Sequence, residues 1–449
     1  MDKAQAYYNK MTKTPVMKLV IMLGIPTTIS MLVTNIYNMA DTYFVGSLGE
    51  SQQGAIGILF TLQCIIQAFS FMIGHGSGVF VSKGLAERDI PQATRYASTG
   101  FYSGAFIGII LGVLGLVFIE PLVMFLGSTE TIKPYAIDYG MWVCLSCPFV
   151  VCSFVLNNIL RYEGKASYAM VGLVSGGIIN IFGDWFLIKV KGLGVYGAGL
   201  ATATSQVISF CILLIMYFKS AQSRISFKGI SLKVRDYLDI CRVGLPSMLR
   251  QGLTSISNGL LNNLARPFGD AAIAALSVIN RFTSLVMCVG LGIGQGFQPV
   301  ASFNYQAKEY TRVKKAMLGT MLIGFGLMAA LGAVGIIFPE EIVKIFQKSP
   351  DVITIGKFGL RVASIGAMFM PVSVCTNMLF QSIRKAGIAS FLSTLRSGVV
   401  MIPALILLSR WFELDGILCA QPVADVLATL ICVPFALHFL FKTPNTENE

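Results

Sequence analysis

Twelve long apolar stretches limit what this chain can fold into more than any other feature of its sequence. Each has enough residues for an α-helix to cross the roughly 30 Å apolar core of a bilayer. Because no water is present there, every backbone N–H and C=O must find a partner inside the protein, which predicts helices rather than open strands. We place the spans at residues 15–42, 54–80, 93–119, 132–158, 167–188, 195–218, 237–263, 272–300, 316–338, 355–380, 388–409 and 416–441.

Composition supports a membrane protein and excludes several other classes. Hydrophobic residues make up 55% of the chain and charged residues 12%, whereas charged residues are about 25% of a typical soluble domain. A soluble enzyme, a disordered chain and a secreted disulfide scaffold are all excluded by these proportions. We predict an all-α integral membrane protein with twelve transmembrane helices.

The basic residues indicate topology. With the N-terminus inside, 22 of the 34 Lys and Arg residues fall in segments on the inner side, and nine on the outer side. This bias predicts a multi-pass protein of the cell membrane with both termini in the cytoplasm. Topology therefore accounts for the net charge of +12, and we expect no nucleic-acid partner. The polar N-terminal residues, followed by a long apolar stretch, predict that there is no cleaved signal peptide.

The chain aligns with itself at a constant shift of 220 residues. The shared positions are largely Gly, Pro and Asn, which punctuate helices and turns, so their agreement in phase indicates a duplication rather than chance. The matching positions are Gly24-Ile-Pro26 with Gly244-Leu-Pro246, Asn38 with Asn258, Gly49 with Gly269, Gly74-x-Gly76 with Gly294-x-Gly296, Asn157 with Asn377 and Lys165-Ala166 with Lys385-Ala386.

The repeat predicts two six-helix lobes. They cover residues 1–218 and 237–449, and a basic cytoplasmic linker at 219–236 joins them. Because six is even, both lobes enter the membrane from the same side, so they are parallel repeats. Two such bundles favour transport by alternating access, in which rocking exposes one site to each side in turn. A static scaffold and a passive channel are the alternatives, and no filter sequence or ring of pore charges supports the latter.

Two runs of residues resemble a known family. Asn38-Met-Ala-Asp41-Thr-Tyr-Phe-Val-Gly46, and Gly294-Gln-Gly-Phe-Gln-Pro299 followed by Asn304-Tyr305, are similar to motifs of the multidrug and toxic compound extrusion (MATE) family. The resemblance covers essentially the whole chain. It implies a V-shaped pair of lobes and the export of amphipathic, often cationic compounds against an inward proton or sodium gradient.

The seventh and tenth spans narrow the resemblance to one part of the family. The NorM-like branch carries acidic residues in both of these spans. Here there is no Asp or Glu in the seventh span around Gln251, Ser255 and Asn258, and there is none in the tenth span from Pro371 to Gln381. The sequence is therefore closer to the DinF-like and MepA-like members, whose cation site lies in the N-terminal lobe.

Few acidic residues lie within the predicted spans. Asp41, Asp184 and Asp425 do so, and an Asp at a helix centre costs about 2.5–3.5 kcal/mol on insertion scales, so each needs a partner or a role. Asn180 shares a helix face with Asp184, four residues later. The resemblance implies a cation site at Asp41, Asn180, Asp184 and Thr202. The same resemblance suggests that Tyr139 and Asn157 extend its hydrogen-bond network.

The residue types of this site suit a proton or a sodium ion. Two carboxylates at close range in a low dielectric do not both stay ionised easily, so such a pair takes up and releases protons. Carboxylate, amide and hydroxyl oxygens also suit a hard cation. We expect no cofactor beyond this coupling ion. We further hypothesise that ion binding at Asp41 changes a bend at Pro26, fifteen residues earlier in the same helix.

The walls of the substrate cavity are harder to assign from sequence. Methionine and aromatic side chains accept varied ligands, and the intramembrane arginines Arg281 and Arg396 would favour anionic or zwitterionic substrates if they face the cavity. Alternatively, Arg250, Arg281 or Arg396 forms an ion pair with Asp425. The apolar candidates are Met31, Tyr37, Phe149, Phe154 and Met170.

An enzyme and an ATP-driven pump have little support. Glu163-Gly164-Lys165-Ala166 lacks the upstream Gly and the Ser or Thr of a phosphate-binding loop. His75 and His438 lie far apart in the sequence and predict neither a metal cluster nor a nucleophile with its base. The remaining alternative is a flippase for a lipid-linked or anionic amphipathic substrate. We expect a monomer whose partners are small amphipathic molecules and membrane lipid.

Overall fold

The computed structural model describes residues 3–347 and 349–445, and in this part of the chain every regular element is helical. The helices before the linker are α1 (Lys3–Lys13), α2 (Val16–Gly46), α3 (Glu50–Ala86), α4 (Ile90–Val117), α5 (Ile119–Phe125), α6 (Lys133–Tyr162), α7 (Ala166–Asp184) and α8 (Gly194–Ser220). Those after it are α9 (Val234–Ala265), α10 (Asp270–Gln306), α11 (Tyr310–Ile337), α12 (Pro339–Phe346), α13 (Pro350–Ser382), α14 (Ala386–Thr394) and α15 (Met401–Lys442). Short π-helical segments, Trp185–Val190 and Leu395–Val399, follow α7 and α14.

The predicted twelve spans are recovered in the described residues. Ten stretches are long and apolar enough to cross a membrane, and the last of them, Ala386–Lys442, has 57 residues. That is too long for a single crossing, and its backbone breaks at Glu413, where φ is 49°. The remaining span is α9, whose side chains are more polar than those of the other spans. The prediction of an all-α membrane protein is therefore confirmed.

The helix bounds themselves repeat at the offset of the sequence repeat. Helix α3 starts at residue 50 and ends at 86, and α10 starts at 270 and ends at 306. Helices α4 and α11 repeat in the same way, as do the short α5 and α12, which the sequence analysis did not predict. The backbone agrees as well, since Arg88 and Lys308 both adopt left-handed conformations, with φ of 60° and 63°. The duplication is thus a duplication of structure.

By packing, the chain forms two compact units. We call the one that contains Ile29–Gln251 the N-unit, and the one that joins Gln5–Thr28 to the chain from Gly252 onwards the C-unit. The first halves of α2 and α9 therefore each belong to the unit built mainly from the other repeat. The lobe limits predicted from the repeat describe the duplicated segments, and they stay a prediction. The packed units differ from those lobes in where the two half-helices belong.

Glycines explain why the half-helices pack as they do. In the C-unit, Gly24 of α2 lies directly against Gly296 of α10, leaving no room for a Cβ on Gly296. In the N-unit, the equivalent Gly244 of α9 lies against the backbone of Met72 in α3, and Gly76 lies against that of Ile240. The same contact is thus formed once in each unit, which accounts for the repeated Gly-x-Pro and Gly-x-Gly motifs.

The segment predicted as a linker is fixed to the N-unit. Gln222 and Ser223 donate their backbone N–H groups to the Glu163 carboxylate at 2.6 and 3.1 Å, and the Ser223 hydroxyl donates to it as well. Further along, the N–H of Ser231 donates to Thr99 Oγ1 at 3.0 Å. Burial raises the pKa of Glu163 above its usual value of 4.5, while the hydrogen bonds from Ser223 and Gln222 lower it in part.

Candidate functional site

The N-unit holds a buried polar cluster whose first member is Asp41, in the second half of α2. Tyr139, on the deeply buried α6, donates its hydroxyl to Asp41 Oδ2 at 2.7 Å. Gln63 of α3 donates to Tyr139 Oη at 3.3 Å. Asp41 is 6% exposed and Tyr139 1%, so this hydrogen bond is formed away from bulk water and fixes one oxygen of the carboxylate.

Helices α7 and α8 supply the other members. Asn180 donates its Nδ2 to Thr202 Oγ1 at 3.2 Å, and Thr202 Oγ1 lies 3.5 Å from Tyr139 Oη. Asp184 lies one turn beyond Asn180 on the same face, fully buried, and close enough to Asp41 and Tyr139 to interact with both electrostatically. The structure therefore brings together five of the six residues predicted for the cation site.

Local packing explains how these side chains meet. Helix α7 presents small residues to α8, with Gly176 against Ser209 and Gly183 against Ala201, so the two helices approach closely. This approach places Asn180 beside Thr202. Immediately after Asp184 the helix widens into the π-helical segment Trp185–Val190, a feature that is frequent at functional sites.

The cluster is rich in acceptors that no protein group satisfies. In the part of the chain that the structure describes, four buried oxygens have no hydrogen-bond donor, namely Asp41 Oδ1, Asn180 Oδ1 and both carboxylate oxygens of Asp184. Among the described residues, no Lys or Arg pairs with either carboxylate. Buried oxygens without donors are costly. The Tyr139 hydroxyl and the Asn180 amide N–H are used in hydrogen bonds within the cluster, and the remaining oxygens are free to accept. Such a set of oxygens suits a proton or a hard cation such as sodium.

Asn157 lies elsewhere in the N-unit. Its Nδ2 donates to the carbonyl oxygen of Ala169 at 3.2 Å, which ties α6 to α7. The equivalent Asn377 donates to the carbonyl oxygen of Ala389 at 2.6 Å in the C-unit. The repeated bond indicates a role in helix packing, and participation of Asn157 in the cation network stays a prediction.

The candidates for the substrate cavity are spread over several helices of the N-unit. Tyr37 packs on Gly177 of α7. Phe149 stacks edge-on against Phe210 at 5.6 Å between ring centroids, and Phe154 against Phe71 at 5.1 Å. Met31 and Met170 are partly buried. These contacts are those of helix packing, so a role of the five side chains in binding substrate stays a prediction.

Pro26 belongs to the other packed unit. It lies in the first half of α2, within the C-unit, whereas Asp41 of the same helix lies in the N-unit. Helix α2 thus begins with a proline-containing segment that packs in the C-unit and ends with the segment of the N-unit that carries Asp41. The hypothesis that Pro26 responds to ion binding at Asp41 stays a prediction.

In the C-unit, the structure shows which of the three intramembrane arginines pairs with Asp425. Arg396 Nε lies 2.5 Å from Asp425 Oδ1, and Gln421 Nε2 donates to the same oxygen at 2.9 Å. Arg281 is exposed, with its guanidinium 6.0 Å from the Phe346 ring centroid. Arg250 was grouped with this acid, but it belongs to the N-unit.

Sequence reasoning missed a second polar cluster in the N-unit. His75 is fully buried, with Nδ1 2.7 Å from Ser247 Oγ and Nε2 2.8 Å from Arg161 Nη2. Arg161 lies between the predicted spans 132–158 and 167–188, but it is 2% exposed and also donates to Asn158 Oδ1. The Gly74-x-Gly76 motif was a usable signal, because its close packing encloses His75.

Comparison with known proteins identifies the family. The sequence profile of the MatE family matches residues 26–186 and 246–407, well over half of the chain. The chain belongs to the MatE family. It is 25% identical over 448 residues to the multidrug export protein MepA of Staphylococcus haemolyticus, which covers 99% of this chain and 97% of that protein. This similarity to MepA is consistent with the resemblance of the sequence to the DinF-like and MepA-like members.

Solved structures support the same fold. A MATE protein in complex with MaL6 superposes with a TM-score of 0.92 at 24% identity, covering 98% of this chain and 99% of that one. A MOP-superfamily transporter from Pyrococcus furiosus superposes with a TM-score of 0.90 at 25% identity, covering 97% and 98%, and is described as having a binding pocket of reverse polarity that suggests a different function. The MatE chain is therefore a multi-pass membrane transporter rather than an enzyme.

Proposed function

We propose that this MatE protein is a secondary active multidrug exporter that exchanges amphipathic, often cationic compounds for protons or sodium ions by alternating access. The observation that carries the proposal is the set of four buried, donor-free oxygens on Asp41, Asn180 and Asp184. The similarity to the MepA multidrug export protein supports the class of substrate. We further propose that both termini are cytoplasmic, on the basis of the charge bias.

Each member of the cluster has a distinct role in the proposed ion site. The Tyr139 hydroxyl occupies Asp41 Oδ2 and leaves Oδ1 free to bind a proton or ion. Thr202 accepts from Asn180 Nδ2, which fixes the amide and leaves Asn180 Oδ1 without a donor among the described residues. Asp184 contributes two further oxygens. Bound cation neutralises carboxylates that repel each other, and its release restores that repulsion, so the occupied and empty forms favour different conformations of the unit.

An efflux assay tests this proposal. Proteoliposomes that contain wild type, Asp41→Asn or Asp184→Asn are loaded with ethidium and driven in turn by a pH gradient and by a sodium gradient. Wild type should export the dye under one gradient, which names the ion, and both variants should lose at least about a hundredfold in rate because an amide neither ionises nor takes up a proton. Asp270→Asn, an exposed acid at the start of α10, is the matched control.

The flippase alternative has a distinct outcome. If neither gradient moves ethidium through wild-type protein, while a fluorescent lipid-linked anionic probe crosses the bilayer, the exporter proposal is wrong. Ethidium efflux that is equally fast in Asp41→Asn, Asp184→Asn and wild type would contradict the assignment of the ion site but leave export in place.

A further inference from the structure

Arg396 is the more accessible member of its ion pair with Asp425. Its side chain is 14% exposed, whereas that of Asp425 is 3% exposed. Arg396 reaches the carboxylate through Nε, and its Nη2 contacts the thioether sulfur of Met287 at 3.5 Å. Arginine usually grips a carboxylate with two parallel N–H groups. Here the pair is made through one nitrogen, so most of the guanidinium N–H groups have no oxygen acceptor among the described residues.

The surroundings of this open edge are apolar and adaptable. Met287 packs against a buried cluster formed by Met370, Val374 and Met378. Methionine-rich surfaces accommodate apolar bodies of different shape. Arg396 itself lies in the π-helical segment Leu395–Val399, a kind of helix irregularity that is frequent at functional sites.

We propose that Arg396 forms an oxyanion subsite in the C-unit that binds the carboxylate of an amphipathic zwitterionic substrate. Asp425 holds the guanidinium through Nε, and Gln421 donates to the same carboxylate oxygen and so helps to fix Asp425. The free N–H groups then bind the carboxylate, and the apolar body of the ligand lies on the methionine surface. The inference rests on the proposed export function and assigns Arg396 as the residue that recognises a carboxylate among its substrates.

A matched pair of ligands isolates the carboxylate. Norfloxacin and its methyl ester differ in this group alone, and the intrinsic fluorescence of both reports binding to the purified protein in detergent without any ion gradient. Wild type should bind norfloxacin about tenfold more tightly than the ester, as expected for a charge-assisted hydrogen-bond pair. Ethidium, which has no carboxylate, serves as the reference for folding and general binding.

The variants separate recognition from structure. Arg396→Gln/Asp425→Asn removes both charges without leaving an unpaired one, and it should bind norfloxacin and the ester equally while ethidium binding stays within about twofold of wild type. Asp425→Asn should reduce the preference for norfloxacin but keep part of it, because the guanidinium remains without the carboxylate that orients it. Arg410→Gln, an exposed arginine of the same unit, is the matched control and should keep the full preference.

Several results would overturn the subsite. They are equal binding of both ligands by wild type, an unchanged preference in the double variant, and loss of norfloxacin and ethidium binding together, which would indicate a structural role. If added phosphatidylglycerol abolishes the preference in wild type, the site binds lipid phosphate rather than substrate carboxylate. Failure of ethidium efflux in proteoliposomes with a retained carboxylate preference would contradict the exporter proposal alone.

Discussion

The two units differ in whether their buried carboxylates are paired with a base. In the N-unit, Asp41 and Asp184 lie close together, and within residues 3–347 and 349–445 no base pairs with them and three of their four oxygens have no donor. In the C-unit, the buried Asp425 is paired with Arg396 and also accepts from Gln421. The carboxylates of the first arrangement have no compensating base, whereas the second arrangement is neutral by itself. Uncompensated and compensated buried charge are thus separated between the two units.

The repeat shows how this separation arose from a common plan. At an offset of 220 residues, the five site positions of the N-unit correspond to apolar residues or glycine in the second repeat, and the pair of the C-unit corresponds to Gly176 and Ser205 in the first. The site counterparts are Leu261 for Asp41, Gly359 for Tyr139, Val400 for Asn180, Ala404 for Asp184 and Pro422 for Thr202. The packing glycines were retained in both halves, whereas the charged positions were not.

Opposite effects on stability are the largest expected consequence of this contrast. Asp425→Asn leaves a buried arginine without its acid and should lower the free energy of unfolding by ~3–5 kcal/mol, and Arg396→Gln/Asp425→Asn should recover much of that loss. Asp41→Asn and Asp184→Asn remove uncompensated charge and should leave stability unchanged or raised. Thermal unfolding of the variants in detergent measures these changes in stability. Equal destabilisation by Asp41→Asn and Asp425→Asn would contradict the difference between the two units.

Removal of the Tyr139 hydroxyl should weaken coupling by a smaller amount. Tyr139→Phe deletes the hydrogen bond to Asp41 Oδ2, worth about 1.5–3 kcal/mol for a charged acceptor, so gradient-driven efflux should fall roughly tenfold or more. Tyr135→Phe, one helical turn earlier on α6, is the matched control. Equal rates in the two variants would show that Tyr139 does not support the ion site.

The prolines of the two repeats allow a paired test of the helix-bend hypothesis. Pro26 precedes Asp41 by fifteen residues, and Pro246 precedes Leu261 by the same number. Pro26→Ala should slow ethidium efflux several-fold because it restores a backbone hydrogen bond at the proposed bend. Pro246→Ala should have the smaller effect, since no ion site follows it. Wild-type transport by Pro26→Ala would count strongly against the hypothesis.

The smallest expected effect concerns Glu163, which holds the linker in the N-unit and corresponds to Ile383 in the second repeat. Since the pKa of Glu163 is raised in the folded protein, its contribution to stability is fully present below about pH 4.5 and is lost as the pH rises through the folded-state value. Glu163→Gln should flatten this pH dependence, because an amide does not titrate. Thermal unfolding between pH 4 and 8 measures this pH dependence, with Glu130→Gln as the control. If Glu163→Gln loses stability with pH as steeply as wild type, the dependence belongs to another group.

Much of the fold could be predicted from sequence because membrane insertion and duplication leave simple patterns. Apolar length predicted the spans, and in-phase Gly and Pro residues predicted the repeat. Asp41, Asn180, Asp184 and Thr202 could be named through their resemblance to a family motif, and the structure added their mutual geometry.

Other features depend on contacts between distant segments, which no local pattern reveals. The pairing of Arg396 with Asp425 spans 29 residues and was one of several alternatives. The burial of Arg161 beside His75 was missed, because a basic residue at a helix end is ordinarily taken as part of a loop. The assignment of the first halves of α2 and α9 to the opposite units also followed from packing alone.

Direct measurement of cation release tests the central claim, that the N-unit cluster holds the coupling ion. Purified protein in weakly buffered detergent solution is titrated with ethidium, while a pH electrode records protons and radioactive sodium reports bound sodium. The account predicts that ethidium displaces about one proton or one sodium ion per wild-type molecule, and none from Asp41→Asn/Asp184→Asn. Equal release of the same ion from wild type and the double variant would place the coupling site elsewhere.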